Sequence, residues 1–259
     1  MKSVSFVILA GWMVVFTACG PDQPGTPSAK EVLPDSISGS TQTQPHFRYL
    51  DDRNAVSYLL DYGKKHPGND LILYTSMGEI RIRLYENTPV HRANFIRLID
   101  LGFYDRTVFY RVIRGFVLQG GDSDDPARKD LKKKYGVYTL PSEFRPGLIH
   151  RPGALAATRD YDNNPEKRSS PYDFYLVHGK TVTRWDLDKI EKDNKRVFLP
   201  EERTFYETTG GAAHLDGEHT VFGQVTKGLD VINRIASVPV DPADWPLADV
   251  RIDSIRLVH

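Results

Sequence analysis

Short strand-like segments rich in apolar residues run through the chain beyond residue 70, and they restrict the fold to one built mainly from strands. The clearest segment places Ile80, Ile82 and Leu84 on one face, with arginines between them. Alternation with a period of two is typical of a half-buried antiparallel strand, and the apolar run over 71–75 predicts its hairpin partner. Further short strand signals follow at 108–113, 116–119, 154–158, 174–177, 221–225 and 250–257.

Helix signals are few in this part of the chain. One helix is predicted to begin at Thr88 and Pro89, which suit the N-cap and the first helical position, and to end at Gly102. A second helix fits 229–235. Many short strands with two helices predict a mainly β fold, namely a closed antiparallel β-barrel capped by the two helices.

Residues 181–211 interrupt the strand pattern with charged sequence of helical character. A helix start at Thr183 is followed by apolar residues that include Leu187, and a second short helix fits 200–206. We interpret the stretch as a helical insertion into the barrel domain.

The chain divides into four parts on composition and pattern. Residues 1–18 have a short basic start and an apolar run too short for a membrane span, which is typical of a signal peptide. Residues 19–46 are rich in Pro, Ser, Thr, Gly and Gln and predict a flexible linker. Residues 47–70, helical over 47–65, form an N-terminal extension, and 71–259 form the barrel domain.

Cys19 is the only cysteine of the chain, so it has no partner for an internal disulfide. It follows the small residues Thr17 and Ala18 in a sequence that resembles a bacterial lipobox, which implies lipidation of Cys19. The alternative is an ordinary signal-peptide cysteine that is lost on cleavage. Lipidation predicts a protein anchored to a membrane of the bacterial cell envelope, facing the periplasm or the cell exterior.

Charge and motif content argue against several classes of function. The 34 basic and 34 acidic side chains balance, whereas a general nucleic-acid surface needs a basic excess. His214 and His219 lie five residues apart in a predicted loop and the other histidines are scattered, so no metal site is predicted. No Gly-x-Ser-x-Gly hydrolase motif occurs. We therefore expect no cofactor and no nucleic-acid partner.

Three blocks carry a resemblance to a known family. They read FYRVIRGFVLQGGD over 109–122, FYLV over 174–177 and LDGEHTVFGQV over 215–225. In this order they resemble the cyclophilins, a family of peptidyl-prolyl cis/trans isomerases, and the similarity spans roughly 71–258. The insertion 181–211 is the main departure. It separates FYLV from LDGEHTVFGQV, and since the resemblance implies that both line a proline-binding pocket, we expect the insertion to lie near that pocket.

The resemblance implies that the chain isomerises X-Pro bonds in a cyclophilin-like barrel. Arg111 would be the catalytic donor, since its guanidinium is always charged and rich in N–H groups. Catalytic roles are also implied for Gln119, Phe116 and His219, with Gln119 orienting Arg111 or the substrate carbonyl and His219 acting as a pocket wall. Substrate-binding roles are implied for Val117, Tyr175, Leu215, Thr158, Arg159 and His214.

The partners expected on this interpretation are proline-containing peptides and unfolded or partly folded exported proteins, bound by a monomer. The alternative is a proline-recognising binding or chaperone module with little turnover, which would dock its clients on the insertion. The presence of Arg111, Gln119 and Phe116 together favours the enzyme, because a pure binder needs no donor to the amide nitrogen.

Overall fold

The computed structural model describes residues 48–121 and 126–258 of the 259-residue chain. The strands in these residues are β1 Leu50–Asp51, β2 Asp70–Thr75, β3 Gly78–Leu84, β4 Thr107–Val112, β5 Val117–Gly120, β6 Gly136–Val137, β7 Ala154–Ala157, β8 Phe174–Val177, β9 Val221–Lys227 and β10 Arg251–Leu257. Eight of them close an antiparallel barrel in the order β10-β2-β3-β9-β7-β8-β5-β4. The predicted mainly β, closed-barrel fold is thus confirmed. The predicted signal peptide, Cys19, the predicted linker 19–46 and the start of the predicted extension at residue 47 lie outside the described residues.

The α-helices of the described residues are α1 Ala55–Lys65, α2 Pro89–Asp100, α3 Pro126–Tyr135, α4 Arg184–Asn194, α5 Pro200–Thr208 and α6 Leu229–Ile235. The two predicted capping helices correspond to α2, which is buried along almost its whole length, and α6. Neither α3 nor the short strands β1 and β6 were predicted. Within the described ranges, no helix combines the length and apolar character that a membrane span requires.

The prediction of a helix from residue 47 was wrong at its start, because α1 begins only at Ala55. The preceding residues form a turn in which the Asp51 carboxylate accepts hydrogen bonds from the backbone N–H groups of Arg53 and Asn54. The backbone of Leu50 and Asp51 pairs instead with β6. A side chain that binds nearby backbone donors competes with the helix in this way.

The two faces of the barrel strands carry two different apolar clusters. Leu118, Leu155 and Leu176 point inward and belong to the main core, where Phe95 of α2 contacts Phe174 and other rings. The outward residues of β5, β7, β8 and the start of β9 form a smaller cluster with the segment before β9: Val117, Ala154, Ala156, Tyr175, Val177, Ala212, Leu215 and Val221. The barrel therefore presents an apolar patch on its outer surface.

A register shift turns Arg111 toward this outer patch. Phe109 lies opposite Gly120 and Arg111 lies opposite Gln119, so two steps along β4 match one step along β5. Without the shift, Arg111 would share the inward face with Phe109, which is fully buried. The irregularity thus re-aims one side chain, which is a common use of β-bulges beside functional sites.

The insertion 181–211 folds as a compact unit beside the patch. The backbones of Lys180 and Gly211 pair at its base. Within it, Leu187, Phe198 and Tyr206 form a small core, which Ile149 and Ala213 complete from outside the insertion. The backbone at Gly211 lies so close to its neighbours that a Cβ there would be 2.3 Å from the His150 carbonyl oxygen.

One buried carboxylate ties the insertion to the barrel. Asp216 accepts hydrogen bonds from the His150 backbone N–H at 2.9 Å and from the Tyr206 hydroxyl at 2.6 Å. The Arg196 guanidinium lies 3.6 Å away, and the Asp216 side chain is fully buried. Because Tyr206 and Arg196 belong to the insertion, the insertion supplies part of the compensation for this charge.

We expect Tyr206→Phe to lower the free energy of unfolding by about 1–3 kcal/mol, because it leaves a buried carboxylate with one donor fewer. Urea denaturation of the purified protein measures the change. Tyr49→Phe is the control, since Tyr49 is exposed. Equal stabilities of the two variants would show that the hydroxyl contributes nothing to the attachment of the insertion.

Candidate active site

The predicted site residues converge on one cavity of about 320 Å³ on the outer face of the barrel. Its lining contains all ten of them: Arg111, Phe116, Val117, Gln119, Thr158, Arg159, Tyr175, His214, Leu215 and His219. Tyr161 also lines the cavity and was not predicted. Residues that are distant in the chain, on β4, β5, β8 and the loops around Thr158 and Leu215, are thus brought together.

The floor of the cavity is apolar. Val117, Tyr175 and Leu215 belong to the outward cluster and each is at most 7% exposed. Phe116 is half-buried at the edge, and its ring stacks on the His214 ring with centroids 5.1 Å apart. Such a floor suits a compact apolar group such as a proline ring.

The hydroxyl of Tyr175 is satisfied outside the cavity. It lies 2.9 Å from Nε2 of His150, a fully buried residue that does not line the cavity. His150 Nδ1 lies 2.7 Å from the Asp216 carboxylate, so donation from Nδ1 to the carboxylate and from the Tyr175 hydroxyl to Nε2 accounts for both contacts. Burial raises the pKa of Tyr175 well above its ordinary value. Tyrosine therefore presents an apolar ring to the cavity, as a phenylalanine would.

Arg111 stands at the edge of the cavity, paired with Asp244. Its Nε lies 3.4 Å from the Asp244 carboxylate, and both side chains are about two-fifths exposed. The Asp244 backbone has a left-handed φ of 66°, and its carbonyl accepts a hydrogen bond from Val112 N–H at 2.8 Å. This contact fixes the loop of Asp244 against β4 and sets the carboxylate beside Arg111.

Gln119 lies opposite Arg111 in the strand pair, but its side chain has another partner. Its amide donates to the Tyr110 hydroxyl at 2.6 Å, and that hydroxyl donates to the Asp173 carboxylate at 3.0 Å. Gln119 is therefore hydrogen-bonded in a row with Tyr110 and Asp173 and forms no hydrogen bond with Arg111 among the described residues, while its contact with the substrate carbonyl stays a prediction. These two hydrogen bonds fix the orientation of the Gln119 amide at the cavity wall.

His219 forms part of the wall as a neutral ring. Its Nδ1 donates to the Ala157 carbonyl at 3.0 Å, and its Nε2 accepts from the Tyr161 hydroxyl at 2.8 Å. Burial lowers its pKa to about 4. The imidazole is therefore uncharged at neutral pH, and both of its nitrogens are already engaged.

Arg159 is held within the wall by Glu218 and Tyr161. It donates to the Glu218 carbonyl at 2.8 Å and to the Glu218 carboxylate at 2.6 Å, and its guanidinium lies 4.0 Å from the centre of the Tyr161 ring. Its side chain is only 5% exposed. Thr158 precedes it at the cavity edge, where its carbonyl accepts from Ser170 N–H. Arg159 thus shapes the cavity while its charge is paired.

Sequence reasoning missed Tyr161 and Asp244. Tyr161 lies in an aperiodic loop, and its role is revealed only by the structure, through its place in the cavity wall and its contacts with His219 and Arg159. Asp244 lies in a Pro-containing segment far from Arg111 in sequence, and nothing in the alternation of residues links the two. In the parts of the chain that the structure describes, no group of three or more His, Cys, Asp or Glu is arranged to hold a metal ion.

Comparisons with known proteins show the family of the barrel domain. The family model described as "Cyclophilin type peptidyl-prolyl cis-trans isomerase/CLD" matches residues 71–257. The protein "Peptidyl-prolyl cis-trans isomerase-like 1" of Neurospora crassa is 31% identical over 191 residues, which cover 73% of this chain and 94% of that protein. A relative from Staphylococcus saprophyticus is 32% identical over 198 residues, covering 74% of this chain and 94% of the relative.

A solved structure shows the same fold. It is the crystal structure of a cyclophilin-type peptidyl-prolyl cis-trans isomerase of Cryptosporidium parvum, determined in the presence of the dipeptide Ala-Pro. It has a TM-score of 0.51 and 20% sequence identity, and the match covers 73% of this chain and 99% of that one. By its matched domain, its relatives and its barrel, the chain belongs to the cyclophilin-type peptidyl-prolyl cis-trans isomerase family.

Proposed function

We propose that the protein isomerises X-Pro bonds by holding the proline ring on the apolar floor while Arg111 stabilises the twisted amide. The observation that carries the proposal is that Arg111 and the floor formed by Val117, Tyr175 and Leu215 border one cavity. A donor and an apolar recess side by side are what this reaction requires of a catalyst.

The chemistry explains why so few groups are needed. Rotation about a peptide bond breaks amide resonance, and the barrier is about 18–20 kcal/mol. For X-Pro bonds both isomers are accessible, yet they exchange over tens to hundreds of seconds. No covalent bond is made or broken, so the catalyst has only to bind the twisted amide more tightly than either planar form.

Arg111 suits the role of donor to the amide nitrogen, which regains a lone pair as the bond twists. The ion pair with Asp244 engages Nε, so we assign the terminal amino groups of the guanidinium to the substrate. Phe116, at the cavity edge, would pack against the proline ring, and Gln119 would meet the peptide backbone. His219 would act as a wall, because no proton is transferred in the reaction.

The setting that we propose is the bacterial cell envelope, with exported proteins as clients. The apolar run that ends at Cys19 supports export and a lipid anchor, and the linker-like composition of 19–46 supports a tether between anchor and enzyme. Prolyl isomerisation is slow enough to limit folding wherever a chain must fold after export.

A proline-recognising binding module with little turnover is the second candidate. The pairing of Arg111 with Asp244 favours it, because the carboxylate competes with substrate for the guanidinium. Both candidates bind proline-containing peptides, but only the isomerase accelerates their cis/trans exchange.

Arg111→Ala is expected to lower kcat/KM on Ala-Pro or Leu-Pro peptides at least about tenfold, which corresponds to ~1.4 kcal/mol of transition-state stabilisation. A prolyl exchange assay on the purified protein measures the rate. Arg81→Ala is the matched control, since Arg81 is an exposed strand arginine on β3. A folded wild-type protein that binds these peptides without accelerating exchange would exclude the isomerase and support the binding module.

The rate is also expected to be insensitive to pH, with kcat/KM changing less than about twofold between pH 5.5 and 8. The pKa of His219 is lowered to about 4 and that of His214 is also lowered, both chiefly by burial, so loss of a proton from His219 does not occur in this range. A kinetic titration tests the point. A limb with a midpoint inside the range that disappears in His219→Asn would assign proton transfer to this ring and contradict the proposed mechanism.

A further inference from the structure

A second cavity, of about 390 Å³, lies beside the proline pocket. The stacked rings of Phe116 and His214 line both cavities, so they form the wall between them. The other side of the second cavity is built by the insertion, through Val182 and Ile190 among others, and by Lys180 at its base. The two cavities are therefore continuous parts of one surface.

The lining of this second cavity combines aliphatic and basic groups. Ile113, Val182 and Ile190 are half-buried and provide apolar surface. Arg114 and Lys180 are exposed and provide two cations. Asp186 provides one anion, whose carboxylate accepts a hydrogen bond from the Thr183 hydroxyl at 2.7 Å. The net charge of these groups is positive.

We propose that this cavity is a substrate subsite that binds a large apolar side chain located within about three residues of the isomerised proline, with acidic residues favoured next to it. The inference rests on the proposed function, since its occupant is the same polypeptide. An extended chain advances about 3.3 Å per residue, so a chain whose proline lies on one side of the Phe116–His214 wall reaches the other side within a few residues.

The walls of the subsite are fixed before substrate arrives. The backbone bridge between Lys180 and Gly211 closes the base of the insertion, and the Thr183 side chain caps α4 by accepting from Asp186 N–H at 3.2 Å. The hydroxyl of Tyr206 joins the insertion to Asp216, the neighbour of the pocket residue Leu215. A preformed recess binds more tightly because little conformational entropy is lost on binding.

The insertion therefore adds selectivity for the sequence around the proline to a site that otherwise recognises the X-Pro bond alone. The proline pocket accepts any X-Pro bond of suitable geometry, whereas the subsite distinguishes the residues around that bond. Discrimination by an apolar recess of this kind is expected to be about tenfold between a leucine and an alanine.

The test compares Ala-Pro peptides that carry Ala, Leu, Glu or Lys at each of three positions on either side of the proline, with the full chain as enzyme. The measured quantity is the ratio of kcat/KM for the Leu peptide to that for the Ala peptide, which does not depend on the amount of folded protein. We expect a ratio of about ten at one position in the wild type, and a ratio near one in Ile190→Asp. Lys189→Asp, a change at an exposed position of α4 outside the cavity, should keep the wild-type ratio.

A charge variant and a binding measurement complete the test. Lys180→Glu should reverse a preference for Glu over Lys beside the apolar residue. Titration calorimetry with the same peptides reports binding without turnover, so peptides that bind with the expected Ile190 dependence but are not isomerised would overturn the proposed function and leave the subsite standing. A Leu-to-Ala ratio that is the same in wild type and Ile190→Asp, in both assays, would overturn the subsite.

Discussion

The buried carboxylate of Asp216 is the constraint on which the pocket and the insertion both depend. An ion pair in a protein interior costs several kcal/mol per ion in desolvation, so such a charge persists only where partners surround it. Here the partners are the backbone and ring of His150, the Tyr206 hydroxyl and the Arg196 guanidinium. Because Leu215 precedes Asp216 in the chain, the same contacts fix the apolar floor. Insertion and pocket are thus one electrostatic unit.

Preorganisation follows from the way the other polar groups of the cavity are satisfied. Tyr175 bonds to His150 behind the floor, Gln119 bonds to Tyr110, and Arg159 bonds to Glu218. Each group is held by a hydrogen bond to a neighbouring residue. A reaction that needs shape and one well-placed cation gains most from such a site, since its dipoles require little reorganisation in the transition state.

The parts of this structure that sequence predicts are those encoded locally. Short apolar segments along the chain indicate the strands of the barrel, and the three blocks hold seven of the eleven residues that line the cavity. The register shift that re-aims Arg111 depends on two strands at once, and the contacts of Asp244 and Tyr161 join segments without periodicity. The predicted helix over 47–65 begins late for a similar reason, since pairing with a distant strand and a local turn outweigh the apolar pattern before Ala55.

The backbone bridge between Lys180 and Gly211 has a consequence for how the domain can be rebuilt. Since the two ends of the insertion meet, the stretch between them has the geometry of a detachable module, which a tight turn can replace without separating the flanking strands. Its side chains are not separable in the same way, because removing Arg196 and Tyr206 would leave the buried Asp216 carboxylate without two of its partners. A domain rebuilt without the insertion must therefore also replace Asp216 or give its carboxylate new donors, and an insertion moved into a relative needs a carboxylate at the position of Asp216 to pair with Arg196 and Tyr206.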